Sequence, residues 1–184
     1  MPNGKARRVA GTGMLFALAI ALSWLESCVT PLLGLMPALK LGLANIVVMY
    51  ALLFLDTRSA AALVALKALF ALLTRGVTAG ALSACGGALS LLVLWALLRA
   101  PFPVSGYLFC VCGALAHNLG QLAGAAAILS SAMALGYAPV LLVAGLAVGA
   151  LNSLLAGAIY AALPAAMTQR RNGRNPFSKN KNIS

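Results

Sequence analysis

Apolar runs bounded by charge, proline or glycine take up most of this sequence, at roughly 10–27, 40–55, 59–75, 84–99, 104–132 and 138–166. They constrain the fold more than any other feature, because ~20 consecutive apolar residues match the ~30 Å hydrocarbon core of a bilayer. The runs at 40–55 and 84–99 fall short of that length and are expected to be shielded by neighbouring helices or extended by apolar loops. Inside hydrocarbon every backbone N–H and C=O must pair within the protein, so only helices and closed barrels can cross. The alternating ten-residue pattern of barrel strands is missing. The runs therefore predict an all-α membrane protein, a six-transmembrane-helix bundle. Composition agrees: 62% of the 184 residues are hydrophobic and 8% charged, with a mean hydropathy of +1.00. Soluble domains carry about 25% charged residues, and no water-soluble core of this size hides so much apolar surface.

A net charge of +11 would point to nucleic acid in a soluble protein. Here the basic residues flank the apolar region, as Lys5, Arg7 and Arg8 before it and Arg170, Arg171, Arg174, Lys179 and Lys181 after it. In that position they set topology and meet anionic lipid, so membrane lipid is an expected partner and nucleic acid is not. With the N-terminus inside, these eight residues together with Arg58 and Arg99 place ten of the thirteen Lys and Arg on the inner side. Lys40 and Arg75 lie outside and Lys67 within a span, an asymmetry that supports a cell-membrane protein with both termini cytoplasmic. The expected organisation is a basic N-terminus over 1–9, the helical domain over 10–168 and a disordered basic tail over 169–184. The basic cluster and first apolar run resemble a signal peptide, but the run continues to Trp24 with Glu26 after it, and no small-x-small cleavage site appears. It is read as a first helix. Thr30 to Pro37 is too broken for a regular helix and reads as a structured loop or re-entrant segment. Asp56–Arg58, Arg99–Pro103 and Gly136–Pro139 read as turns.

Cys28, Cys85, Cys110 and Cys112 match no zinc spacing, and with one histidine in the chain no metal site is expected. They read as small apolar packing residues. Small residues recur every fourth position: Ala17 and Ala21 in the first span, Ala116, Gly120 and Gly124 in the fifth, and Gly145, Gly149, Ser153, Gly157 and Ala161 in the sixth. Such stripes let helix backbones approach closely where lipid supplies no hydrophobic force. Internal packing is the reading for the fifth and sixth spans; docking to another membrane protein competes with it for the first.

Polar groups inside a membrane are expensive and so are functional candidates by default. Lys67 lies mid-way along the third span, His117 and Asn118 mid-way along the fifth, and Asn152 mid-way along the sixth. Gln121 is one turn from His117 on the same face. Gly113, Gly120 and Gly124 lie near that face, where missing side chains would leave room for a ligand. Lys40 and Asn45 open the second span, Glu26 closes the first and Arg75 closes the third. Together these residues are expected to line a polar, net-positive pocket reached from outside that binds a small molecule. The bland alternatives are a snorkelling or Glu26-paired Lys67, and His117 and Asn152 as helix-contact groups.

Absences narrow the chemistry further. There is no Gly-x-x-x-x-Gly-Lys-Ser/Thr loop for ATP phosphates. Asp56 and Glu26 are the only carboxylate side chains, too few for magnesium-dependent prenyl transfer or paired-carboxylate catalysis. No catalytic residue and no cofactor is therefore assigned.

Three stretches carry a resemblance: Pro37-Ala-Leu-Lys40-Leu-Gly-Leu-Ala-Asn45-Ile, Ser83-Ala-Cys-Gly86-Gly87-Ala-Leu-Ser90 and Ala116-His117-Asn118-Leu-Gly120-Gln121. Over roughly residues 10–165 the chain resembles the Gx transporter family, also known as heptaprenyl diphosphate synthase component I. The resemblance implies a fold similar to the S components of energy-coupling factor (ECF) transporters, which capture a small molecule and work with a transmembrane coupling subunit and two ATPases. It also implies that Ala17 and Ala21, matching an Ala-x-x-x-Ala pattern, dock on that subunit. The synthase name implies instead a non-catalytic membrane partner in isoprenoid or quinone synthesis. An ion-coupled carrier acting alone is a third reading, for which one Glu within the spans is thin support.

Overall fold

The structure, a computed structural model of the chain, describes residues 4–29, 32, 42–101, 103–128 and 131–162. The expectations for the Thr30–Pro37 stretch, for Lys40 and for the tail after Gln169 lie outside these residues. Six helices and no strands occur among them: α1 (Gly4–Val29), α2 (Asn45–Phe54), α3 (Thr57–Arg75), α4 (Val77–Arg99), α5 (Gly106–Ile128) and α6 (Ser131–Ala162). Five are long and apolar enough to cross a membrane. The protein is a multi-pass membrane protein of the all-α class.

Local chemistry sets the boundaries. Asp56 caps α3 by accepting from the Ser59 amide at 2.6 Å, which satisfies one of the donors that a helix start leaves unpaired. A single residue, Gly76, then reverses the chain into α4. Its φ of +90° is open to glycine and strained for other residues, and its amide closes α3 on the Leu72 carbonyl at 3.1 Å. Because Gly76 makes the whole turn, α4 starts at Val77 and not near residue 84. Thr78 and Ser83 lie inside the helix. At the other end of α4, the Arg99 guanidinium stacks 4.1 Å from the Trp95 ring centroid, and Pro101 and Pro103 come next.

Gly136–Pro139 is not a turn. It lies inside α6, with Pro139 as an internal helical residue. Breaking the helix there would leave up to about eight backbone groups without helical partners, a larger penalty than the ~3 kcal/mol of an internal proline.

α3, α4, α5 and α6 pack each against the next. Their contacts run antiparallel: Gly80 and Gly87 of α4 meet Leu72 and Val64 of α3, while Gly113 of α5 meets Leu94 of α4. Gly145 and Gly149 of α6 meet Leu115 and Val111 of α5. The small-residue stripes of the fifth and sixth spans are thus internal seams at these positions, although nothing lies within 4 Å of Gly157. α2 is only 10 residues long, ~15 Å of helix, about half the hydrocarbon thickness. It survives there because it touches all five other helices and buries eight of its ten residues. A helix apolar on every side belongs in a core, and Val47, Val48, Met49, Ala51 and Leu52 form the centre of this one with Leu63, Leu94 and Phe109.

The distribution of polarity is inverted relative to a soluble protein. Leu73, Val77, Val143 and Leu154 are more than two-thirds exposed, whereas Glu26, Asn45, Ser90, His117, Asn118, Gln121 and Asn152 are buried. An apolar exterior of this extent requires lipid. α1 is the least embedded of the span-length helices: its buried face is the line Ala19, Ser23 and Glu26, and Met14, Ala17, Leu18, Ala21, Trp24 and Leu25 face outward.

The α4–α5 seam yields a test. A Cβ on Gly120 would lie 2.6 Å from the Cys85 carbonyl oxygen and 2.8 Å from Gly86 Cα, so Gly120→Ala must push two helices apart. The expected cost is about 1–3 kcal/mol, read as a lower thermal unfolding midpoint in detergent. Gly13→Ala, with nothing within 4 Å, should leave the midpoint unchanged or slightly raised.

Candidate functional site

Four helices close around a small cavity. α1 contributes Glu26, α3 contributes Lys67 and Arg75, α4 contributes Ala79 and Ser83, and α5 contributes His117 and Gln121. The pairs Ala79/Ser83 and His117/Gln121 are four residues apart and share a helix face. Lys67 and Arg75 lie two turns apart along one side of α3. The void between them measures ≈ 10 Å³, the room of about one water molecule.

Missing side chains shape this site. A Cβ on Gly86 would sit 2.8 Å from the His117 carbonyl oxygen and 2.9 Å from both His117 Cε1 and Gln121 Cγ. From the opposite side, a Cβ on Gly42 would come 3.1 Å from His117 Cδ2. The imidazole is therefore slotted between two glycines and held in one orientation. The space expected beside Gly113, Gly120 and Gly124 is not open to a ligand. Leu94 fills it at Gly113, the Cys85–Gly86 backbone at Gly120, and Cys85 with Leu82 at Gly124, because close helix approach consumes the room a glycine frees.

The electrostatics centre on Glu26, which is fully buried. Its Oε1 accepts from the backbone amides of Gly42 and Leu43, the latter at 2.7 Å. Both amides precede α2 in the turn closed by Asn45 N donating to the Gly42 carbonyl at 2.9 Å. Gly42 has a φ of +95°; with the next amide it forms a concave pair of donors suited to an anion. Lys67 and Arg75 both act electrostatically on Glu26. Arg75 Nη1 also donates to Ser27 Oγ at 3.3 Å, and Ser27 Oγ donates to the Ser23 carbonyl at 2.8 Å. Two basic side chains, Lys67 and Arg75, thus face one carboxylate, Glu26, across the cavity.

Five of the residues singled out in the sequence thus come together: Glu26, Lys67, Arg75, His117 and Gln121. The others lie elsewhere. Asn45 Nδ2 donates to Ser90 Oγ at 2.7 Å, and Ser90 Oγ donates to the Gly113 carbonyl at 2.9 Å, tying α2, α4 and α5 together. Asn118 Nδ2 donates to the Leu141 carbonyl of α6 at 2.7 Å, while its Oδ1 is buried with no hydrogen-bond partner among the described residues. Asn152 is buried on α6, and neither of its amide atoms has a hydrogen-bond partner among the described residues. Ala17 and Ala21 sit on the outward side of α1, and Lys40 lies outside the described residues. Sequence reasoning did not assign Ser83 or the Gly42 and Leu43 amides to the site. Ser83, Gly86, Gly87 and Ser90 recur at three- and four-residue spacing, a small polar face on α4 that was open to detection. Among the described residues no three His, Cys, Asp or Glu side chains gather in a metal-holding group, and all four cysteines are free.

The model of one family, heptaprenyl diphosphate synthase component I, matches residues 15–159. The chain belongs to that family. Nothing among curated proteins or solved structures matches it. In this member of the heptaprenyl diphosphate synthase component I family, the matched region runs from within α1 to near the end of α6 and takes in every residue of the cavity.

The Asn45–Ser90–Gly113 chain makes a stability prediction separate from any ligand. Ser90→Ala removes one donor and one acceptor from a buried network, at an expected cost of about 1–3 kcal/mol. Thermal unfolding of the purified variant in detergent measures it.

Proposed function

We propose that this chain is a substrate-capturing membrane subunit, similar in role to the S component of an ECF transporter, for uptake of a small anionic or amphipathic molecule. The observation that carries the reading is the convergence of Lys67, Arg75, His117 and Gln121 on one buried cavity with a single carboxylate opposite. Charges retained inside a membrane mark a ligand path or binding site, and a net-positive lining favours a carboxylate or phosphate. The chain has no phosphate loop of its own, so energy comes from separate ATPase subunits through a coupling subunit. The outward face of α1 around Ala17 and Ala21 is the docking strip for that subunit, since close approach needs small residues. Basic residues at both ends of the chain put both termini in the cytoplasm and the cavity in the outer half of the cell membrane.

A second reading is favoured by the family's description: a non-catalytic membrane component of prenyl diphosphate synthesis, working with a soluble prenyltransferase. The two separate by copurification. A coupling subunit with ATPases is the expected companion, and a soluble prenyltransferase in its place would turn the assignment to the second reading.

The capture site is tested directly by Lys67→Met and His117→Ala. Both are expected to express and fold. Loss of a charge-assisted contact worth roughly 1.5–3 kcal/mol should weaken retention of a copurifying small molecule about tenfold to a hundredfold, as measured by native mass spectrometry. Unchanged retention in both variants would remove this cavity from any role in transport.

A further inference from the structure

The Gly42–Leu43 amides, the two cations and the imidazole form a built anion site, and in this structure the protein's own Glu26 fills it. We propose that Glu26 is a resident stand-in for the ligand's acidic group: a carboxylate or phosphate enters by taking the Gly42 and Leu43 amides from it. The inference deepens the capture reading above and rests on it for the identity of the cavity.

Three observations carry it. First, the void holds about one water, so any larger ligand must displace part of the wall. Second, the part that moves at least cost is the Glu26 wall. α1 buries Ala19, Ser23 and Glu26 and packs Leu15, Phe16 and Leu22 partly against the core, a lighter hold than that on His117 and Gln121, which lie against the Gly86 backbone. Third, Glu26 is the one carboxylate in the lining and faces two basic side chains, Lys67 and Arg75, so an incoming acidic group meets two donors of charge-assisted hydrogen bonds. Independently, the buried Asn118 Oδ1 has no hydrogen-bond partner among the described residues and lies 3.7 Å from the position a Gly42 Cβ would take. It is an acceptor waiting beside the same two amides for a donor on the ligand.

Displacement has a consequence for α1. Glu26 ties this helix to the start of α2, and once the carboxylate leaves the amides that tie is gone, while the Arg75–Ser27 bond still joins α1 to α3. An occupied site therefore loosens the end of α1.

The test uses the full chain in detergent, titrated with inorganic phosphate at constant ionic strength and monitored by calorimetry, as wild type, Glu26→Gln and Glu26→Asp. Glu26→Asp keeps the charge but draws the carboxylate one methylene back from the amides. Both variants are expected to bind phosphate about tenfold more tightly than wild type, and adding Lys67→Met should cancel the gain. A gain in Glu26→Gln alone is a bare charge effect and overturns the proposal, as does weaker binding in both variants or no phosphate response in any form. Should the variants not fold, amide hydrogen exchange of the wild type decides. Phosphate should speed exchange over residues 23–29, and binding with unchanged exchange there overturns the proposal. Repeating the titration in nanodiscs distinguishes the source of the acidic group. An equal response in neutral and anionic lipid indicates a soluble ligand, a response abolished by anionic lipid indicates a lipid headgroup, and both sustain the site. A Glu26-dependent response without any copurifying coupling subunit keeps the anion site and removes the uptake role. Copurification without Glu26 dependence does the reverse.

Discussion

The contact between the Glu26 carboxylate and the Gly42 and Leu43 amides, with Lys67 and Arg75 opposite, is the interaction on which the arrangement of this bundle turns. An ion taken out of water and left alone costs several kcal/mol even after relaxation. Here three charged side chains and two backbone donors share that penalty. Their mutual requirement sets the rotation of α3, the point where α2 begins and the height of α1 against both. α1 could not be fixed by packing alone, because most of its surface faces outward and lipid attracts a leucine about as well as another helix does.

The remaining helices are held by the opposite device, the absence of side chains. Gly80 and Gly87 bring α3 onto α4, Gly120 and Gly124 bring α4 onto α5, and Gly145 and Gly149 bring α5 onto α6. Dispersion between closely approached backbones is what a bundle in lipid has in place of hydrophobic burial. Gly86 serves both structure and site, since the close approach it permits also orients the His117 ring and the Gln121 stem. The bundle thus has a tightly seamed block, α3 to α6, and a lightly held α1, and the cavity lies where the two meet.

Much of this was legible in the residues. The apolar runs marked every helix, because in hydrocarbon the backbone of a single segment can pair only with itself. Pro139 misled, since α6 continues through it and an internal proline costs less than the unpaired backbone groups of a broken helix. Charge and depth identified Glu26, Lys67, Arg75, His117 and Gln121 as partners, but depth gives height along the bundle and not the direction a side chain points. Asn45, Asn118 and Asn152 share the polarity of the cavity residues, yet the rotation of each helix turns Asn45 toward Ser90 and Asn118 toward α6. That rotation depends on which small residues meet which neighbours, and no single span encodes it. The Gly42 and Leu43 donors were invisible for a different reason: a backbone amide has no residue type.

The scarcity of carboxylates gives the cavity its direction. The chain has two acidic side chains, and Asp56 is committed to the start of α3, which leaves Glu26 to face the buried Lys67 and the half-buried Arg75. A net-positive enclosure in a low-dielectric interior has two stable conditions: filled by an anion, or collapsed on whatever negative group the protein can supply. A void of ≈ 10 Å³ with Glu26 on the α2 amides is the collapsed condition. On the capture reading proposed above, the two basic side chains hold the ligand's acidic group and the one carboxylate gives up its place to it.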